Sequence, residues 1–340
     1  MDLSIIFPVY NVEKYIRPSL ESIYRQGIDE QCFEVIIVND GSTDKSMEMI
    51  ADIIQQHSNI TVIYQENQGL SVARNNGIAL AKGEYIIMPD SDDMLIDNSI
   101  PFLLKQALSS NADLIVADFL TMTNEEIANL STTLIKQDNT MIVEKTGEEM
   151  FLEYLNPNQC YVWRALFRRQ FIINNELSFI PGIFYQDVPF THKCYIKAKK
   201  CLKTNWRLNI YRINRLGSAT ESFSKKKAMD FCVAIEKTWK LKPFTHQKLI
   251  NKLQDDVFIS FTSLIYFTSH YIKDPNERHE IIDYLKQLVP DLAFNNGIKQ
   301  TFISIIYRVM PHMLVRLRLI YGRIFEDTII PFFHHHISSK

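Results

Sequence analysis

The first 120 residues alternate strictly between short apolar runs, rich in β-branched residues, and longer stretches with helical spacing. The runs are "LSIIFPVY", "FEVIIVND", "NITVIYQE" and "GEYIIMPD", with "ADLIVADF" closing the series as a fifth. Between them lie "KYIRPSLESIYRQ", "GSTDKSMEMIADIIQQH", "LSVARNNGIALAK" and "NSIPFLLKQALSS", each with apolar residues on one helical side. Parallel strands need long crossovers, and a helix is the usual one. Strands apolar on both sides must be covered on both faces. The alternation therefore predicts an α/β fold: a mostly parallel sheet flanked by helices. In the second of the helical stretches Ser42, Thr43 or Asp44 is available as a cap.

Later segments are less regular. Residues 118–146 alternate in places ("TTLIKQ", "TMIVEK"), as a hairpin or a ragged insertion would. "CYVWRALFRRQFIINNE" is aromatic and basic, with Trp163 best read as core. "CLKTNWRLNIYRINRLGSAT" reads as one or two strands ending in a polar loop, and from about Phe223 onward the pattern is helical. At 340 residues the chain exceeds what one core usually serves, so two or three subdomains are expected. Its 46% hydrophobic and 22% charged residues describe a folded protein rather than a disordered one.

Each of the first four runs ends in a polar cluster: "YNVEKY", "NDGSTD", "ENQG" and "PDSDD". Ligands of such sheets bind outside the carboxyl ends of the strands, so the four clusters mark a binding crevice. In "MPDSDDML" the carboxylates Asp90, Asp92 and Asp93 crowd within four positions. One acid would serve as a helix cap, and three repel one another unless a hard cation such as Mg²⁺ or Mn²⁺ sits among them. Asp40 stands at a strand tip before Gly41, where its carboxylate can face the crevice, and Arg74 lies one helical turn past Gly69.

The stretches "IIFPVYNVEKYI", "VIIVNDGSTDKS", "NQGLSVARNNGIALAKGEYI" and "MPDSDDML" resemble, in order and spacing, the motifs of family 2 inverting glycosyltransferases. The resemblance runs unbroken over about residues 3–97 and in patches to about residue 220. It implies the GT-A nucleotide-diphospho-sugar transferase fold with a C-terminal helical extension. It also implies transfer of a sugar from a UDP-sugar donor to a saccharide acceptor, such as a lipid-linked polysaccharide intermediate. At matching positions it implies that Pro8, Val9 and Tyr10 line the uracil pocket, that Asp40 binds the uracil ring, and that Arg74 contacts base or diphosphate. Asp90 would hold the ribose side, Asp92 would coordinate Mn²⁺ or Mg²⁺, and Asp93 would stand behind the metal or face the sugar. In "PGIFYQDVPF" it implies Asp187 as the base, with Gln186 where the family more often has Glu; a helix-capping Asp is the simpler alternative. "YRINRLGSAT" resembles the family's diphosphate loop, so Tyr211, Arg212, Arg215 and Ser218 would clamp the departing UDP. The family's processive synthases carry a Gln-x-x-Arg-Trp signature that is absent here, which points to a single sugar addition per encounter.

On this reading residues 1–97 form the nucleotide-sugar half, 98–220 the acceptor and base half, and 221–340 a helical region. A nucleotidyltransferase, a metal-dependent phosphohydrolase or a non-catalytic nucleotide-sugar-binding scaffold would use the same strand-end cluster without a base near residue 187. The net charge of −2 lacks the basic excess that nucleic-acid binding requires. Five scattered cysteines without a CxxC pair, and an N-terminus without a basic leader, lead us to expect a cytoplasmic protein. Residues 301–325 mix large apolar side chains with an arc of Arg308, His312, Arg316 and Arg323. They suit either a helix packed on the domain or an amphipathic helix on the inner face of the cytoplasmic membrane.

Overall fold

The computed structural model describes residues 1–320, except 131–134, 136, 138, 216–221 and 242–245; of Ile320 only the backbone is described. The described residues cluster into two compact units. One comprises Met1–Met150, Tyr161–Gly182 and Cys194–Arg215; the other comprises Phe151–Cys160, Ile183–Lys193 and the described residues from 222 on.

The first unit is built on a single sheet. Its strands are β1 (Leu3–Val9), β2 (Phe33–Asp40), β3 (Ile60–Gln65), β4 (Tyr85–Ile87), β5 (Met94–Leu95), β6 (Leu114–Met122), β7 (Ile142–Lys145), β8 (Ala165–Arg168) and β9 (Cys201–Arg212). They run in the order β3-β2-β1-β4-β8-β6-β9-β5, with β7 beside β9. The α/β fold with flanking helices expected from the alternation is present, and β1 to β4 are parallel. Beyond β4 the sheet becomes mixed, because β8 inserts antiparallel between β4 and β6, while β6 and β9 are parallel. β8 lies within the aromatic-basic stretch, where no alternation announced it.

Every residue of β1 and β2 is buried, as continuous apolar runs require. Helix α1 (Ile16–Tyr24) covers them with Ile16, Leu20 and Ile23, and carries Pro18 in its first turn, where the missing N–H costs nothing. Helix α2 is short (Ala51–Gln56), following a 3₁₀ turn at Glu48–Ile50. Ser42, Thr43 and Asp44 therefore do not cap it, contrary to the sequence expectation; they bind another loop, described below. Helices α3 (Leu70–Leu80) and α4 (Ser99–Ser110) complete the crossovers. Because β2 and β4 lie on opposite sides of β1, the sheet has a topological switch point there, with Val9 and Met88 opening onto its carboxyl end.

After β6 come α5 (Asn124–Ala128), α6 (Gly147–Glu153), α7 (Arg169–Asn174) and α8 (Asp187–Lys197). The second unit is otherwise helical: α9 (Lys225–Trp239), α10 (Gln247–Tyr271), α11 (Pro275–Leu288), α12 (Ile298–Val309) and α13 (Pro311–Ile320). Its core packs Phe258, Phe261 and Trp239 around Phe294, and Tyr307 edge-on to Phe261. Among the described residues no helix is long and apolar enough to cross a membrane.

Among the glycines forced by their surroundings, Gly41 bears on the site. Gly41, directly after β2, has φ +71°, and a Cβ there would lie 2.9 Å from the backbone nitrogen of Asn67. Gly41→Ala is expected to destabilise the protein by about 1–3 kcal/mol through strain and displacement of that loop, read as a lower urea midpoint with unchanged slope.

Candidate active site

The loops leaving β1 and β2 are laced together at the switch point. Asn11, at φ +51°, turns the chain after β1, and its side-chain oxygen accepts from the Thr43 amide at 2.8 Å. In return Ser42, Ser46 and Asp44 accept from the amides of Asn11, Val12 and Glu13 at 3.2, 2.8 and 2.9 Å. These side chains satisfy the turn before α1, which is why they are not spent on a helix cap. Pro8 and Val9 are buried beside this turn, and Tyr10 is 49% exposed at its mouth. β4 pairs only with Leu3–Ile5, so Pro8, with no N–H to donate, falls where one edge of β1 is unpaired.

Asp40 is 3% exposed and organises the neighbouring loop. It accepts from the Gln65 side chain at 2.7 Å and from the amides of Gln68 and Gly69 at 2.8 and 2.9 Å. Gly69 is the residue before α3, so Asp40 fixes the start of the helix that carries Arg74. A carboxylate has about four lone-pair sites, and three donors leave about one for a ligand.

The centre of the site is the turn after β4. Oxygens of Asp90, Asp92 and Asp93 all lie within 4.8 Å of one another, and the turn is closed by the Asp93 amide donating to the Asp90 carbonyl at 3.1 Å. Three arginines from separate elements meet it. Arg74, 2% exposed, donates to Asp90 at 2.6 Å and lies over the Phe179 ring. Arg215 pairs with Asp92 at 2.5 Å. Arg212 donates through its amide to Asp93 at 2.8 Å and through Nε to the Asp92 carbonyl at 2.8 Å. Its other end is held by the Asn124 side chain at 2.7 Å, and both Arg212 and Arg215 lie over the Tyr15 ring.

The balance is incomplete. Asp93 is 2% exposed and its Oδ2 has no hydrogen-bond partner. Burial, then the charges of Asp92 and Asp90, push its carboxyl well above the usual range. Burial also raises Asp90, against the opposing pull of Arg74. Burial raises the phenol of Tyr211, which stacks on Trp163 at 5.5 Å, and the three aspartates add to the shift. Trp163 itself is buried. Three carboxylates with one orphaned oxygen form an all-oxygen donor set, the kind that holds a hard divalent cation.

In the second unit, Asp187 is the first residue of α8. The turn before it is strained: Tyr185 has φ +60°, which a bulky side chain rarely adopts. Tyr185 is held there by stacking on Phe231 at 4.3 Å. Gln186 is 6% exposed, and its side-chain oxygen is buried without a partner. Such strain persists only where the surroundings over-determine it, and it concentrates at functional turns.

Arg74, Asp90, Asp92, Asp93, Tyr211, Arg212 and Arg215 thus form one cluster, with Asp40 supporting it and Pro8, Val9 and Tyr10 at the end of the neighbouring strand. Ser218 lies outside the described residues. Tyr15 and Asn124 were not anticipated. Tyr15 belongs to "YNVEKY", a signal open to reading, whereas Asn124 reaches Arg212 only because α5 follows β6.

A sequence profile described as Glycosyl transferase family 2 matches residues 4–173. The uncharacterized glycosyltransferase EpsJ of Bacillus subtilis (strain 168) is 30% identical over 308 residues, covering 88% of this chain and 86% of EpsJ. Glycosyltransferase GlyG of Streptococcus pneumoniae serotype 4 is 31% identical over 228 residues, 64% of this chain and 72% of GlyG. The crystal structure of S. aureus TarS residues 1–349 with UDP-GlcNAc aligns with a TM-score of 0.73, covering 95% of this chain and 92% of that one. At 19% identity that likeness is one of fold.

Neutralising one crowded acid should stabilise the protein. A buried carboxyl with a raised pKa ionises more readily unfolded than folded, so at neutral pH its charge works against folding. Asp93→Asn keeps the acceptor for the Arg212 amide and is expected to raise stability by about 1 kcal/mol or more, seen as a higher melting temperature without added metal.

Proposed function

Because this chain belongs to glycosyltransferase family 2 and is therefore a sugar transferase, we propose that it moves a sugar from a UDP-sugar to a hydroxyl of a saccharide acceptor, inverting the anomeric centre in one displacement. The observation that carries this reading is the cluster of Asp90, Asp92 and Asp93 faced by Arg74, Arg212 and Arg215 at the switch point. Acids alone would suit a simple cation site and arginines alone an anion site. Together they suit a diphosphate that arrives with its own cation.

In this reading Pro8, Val9 and Tyr10 line the base pocket, and the free acceptor site of Asp40 takes a base N–H. Asp90 holds the ribose side. Asp92, with the unpartnered oxygen of Asp93 beside it, would hold Mn²⁺ or Mg²⁺. When bound, the cation neutralises charge on the diphosphate and on the departing UDP. Asp92, paired with Arg215 at 2.5 Å, and Arg215 itself are the groups that would meet the cation and the phosphate respectively. Arg212, anchored by Asn124, and the Tyr211 hydroxyl stabilise the same leaving group. The UDP-GlcNAc held by TarS is consistent with a uridine nucleotide donor here.

Asp187 acts as the base. The acceptor oxygen attacks the anomeric carbon, its proton passes to the Asp187 carboxylate, and the bond from that carbon to the diphosphate oxygen breaks. The electron pair leaves with UDP, so no sugar–enzyme bond forms. Gln186 stands beside Asp187 without a second negative charge. The absence of a processive signature supports one sugar per encounter, to an acceptor such as a lipid-linked polysaccharide intermediate.

Asp187→Asn is expected to lower transfer by about 10²–10⁴-fold while UDP binding, measured by calorimetry, stays unchanged; undiminished turnover would remove Asp187 from the chemistry. Asp92→Ala is expected to abolish the thermal stabilisation that Mn²⁺ adds to UDP binding. Persistence of that metal dependence would overturn the assignment of the cation site.

A further inference from the structure

Helix α12 is apolar on two opposite sides. On one, Ile303, Ile306 and Tyr307 are buried, and the Tyr307 hydroxyl donates to the Val289 carbonyl at 3.1 Å. That side accounts for packing on the helical core. On the other, at about 100° per residue, Ile298, Phe302, Ile305 and Val309 fall within about 60° of arc. They are 92%, 60%, 55% and 70% exposed. Met310 and Met313, on either side of Pro311, are also exposed, at 52% and 38%. An aligned, exposed apolar stripe is not the scatter of single residues expected on any surface, and such patches mark interaction sites.

The charges on these helices select the occupant. Arg308 is exposed on α12 and Arg316 on α13. Residues 298–320 contain no Asp or Glu. The cationic arc expected from the sequence is only partly available. His312 pairs with Asp283 at 3.0 Å, Arg318 is buried over the Tyr266 ring, and Arg323 lies outside the described residues. What remains is an apolar strip rimmed by cations, which matches the boundary between acyl chains and anionic headgroups.

We propose that α12 and the start of α13 lie on an anionic lipid bilayer, with Phe302, Ile305 and Val309 entering the acyl boundary and Arg308 and Arg316 facing the headgroups. The two readings of this segment are thereby joined, since one side packs on the domain and the other docks. This surface is independent of the glycosyl-transfer reading and stands or falls without it. Deleting the helix would also remove the core residue Tyr307, so the test uses exposed positions. The full-length protein and the double variant Phe302→Glu, Ile305→Glu are floated with phosphatidylcholine vesicles, with and without phosphatidylglycerol. Thermal melts serve as the fold control. The wild type is expected to float with the anionic vesicles and to be released by salt, whereas the variant, with an unchanged melt, partitions about tenfold less or worse. Three results would overturn the proposal: a wild type that stays at the bottom at low salt, a variant that floats equally well, or a stripe that instead mediates lipid-free dimers dissociated by the same substitutions.

Discussion

Like-charge repulsion at the end of β4 is the constraint on which the site depends. Oxygens of Asp90, Asp92 and Asp93 are brought within 4.8 Å of one another, and all three residues are held partly or almost wholly out of water. Left alone, such a turn would open. It is held by arginines from three places: α3, the end of β9 and the residues just after it. Each is anchored in turn, Arg74 over Phe179, Arg212 by Asn124, and Arg212 with Arg215 over Tyr15. The compensation is not complete, and the buried, unpartnered oxygen of Asp93 is the residue of the imbalance.

The sheet makes that arrangement possible. The burial of β1 and β2 along their whole length fixes their register, and with it the positions of the loops at their ends. The lacing of Asn11 to Thr43, and of Ser42, Asp44 and Ser46 to the amides after β1, then turns two loops into one wall. Asp40 does the same for the loop entering α3. The side chains that looked like cap residues or ligands in the sequence are in part the framework of the crevice. In the second unit the strained turn at Tyr185, clamped by Phe231, plays a comparable part for the start of α8, where Asp187 stands.

Much of this was legible beforehand. The strand–helix alternation required an α/β sheet, because continuous apolar strands need cover on both faces and helices supply it. The four polar clusters pointed to the carboxyl end of the sheet, where Asp40 and the acidic turn stand, and the order of motifs within residues 3–97 pointed to the family whose profile matches residues 4–173. Less legible were β8 and the length of α2. β8 is four residues long and takes its conformation from β4 and β6 on either side. α2 lost its first turns because Ser42, Asp44 and Ser46 found partners in another loop, a choice invisible to local propensity.

By itself, then, the sequence determined the fold class, the edge of the sheet where the polar clusters gather and the identity of the acidic turn, since periodicity and residue order are local properties. Only the tertiary structure decided which arginine faces which aspartate, that Tyr15 and Asn124 support them, and that α12 keeps one apolar side outward after burying the other. Those outcomes depend on which distant segments meet. Partners 16 to 123 residues apart in the chain are joined by packing of the sheet and helices, and no short-range pattern encodes that meeting.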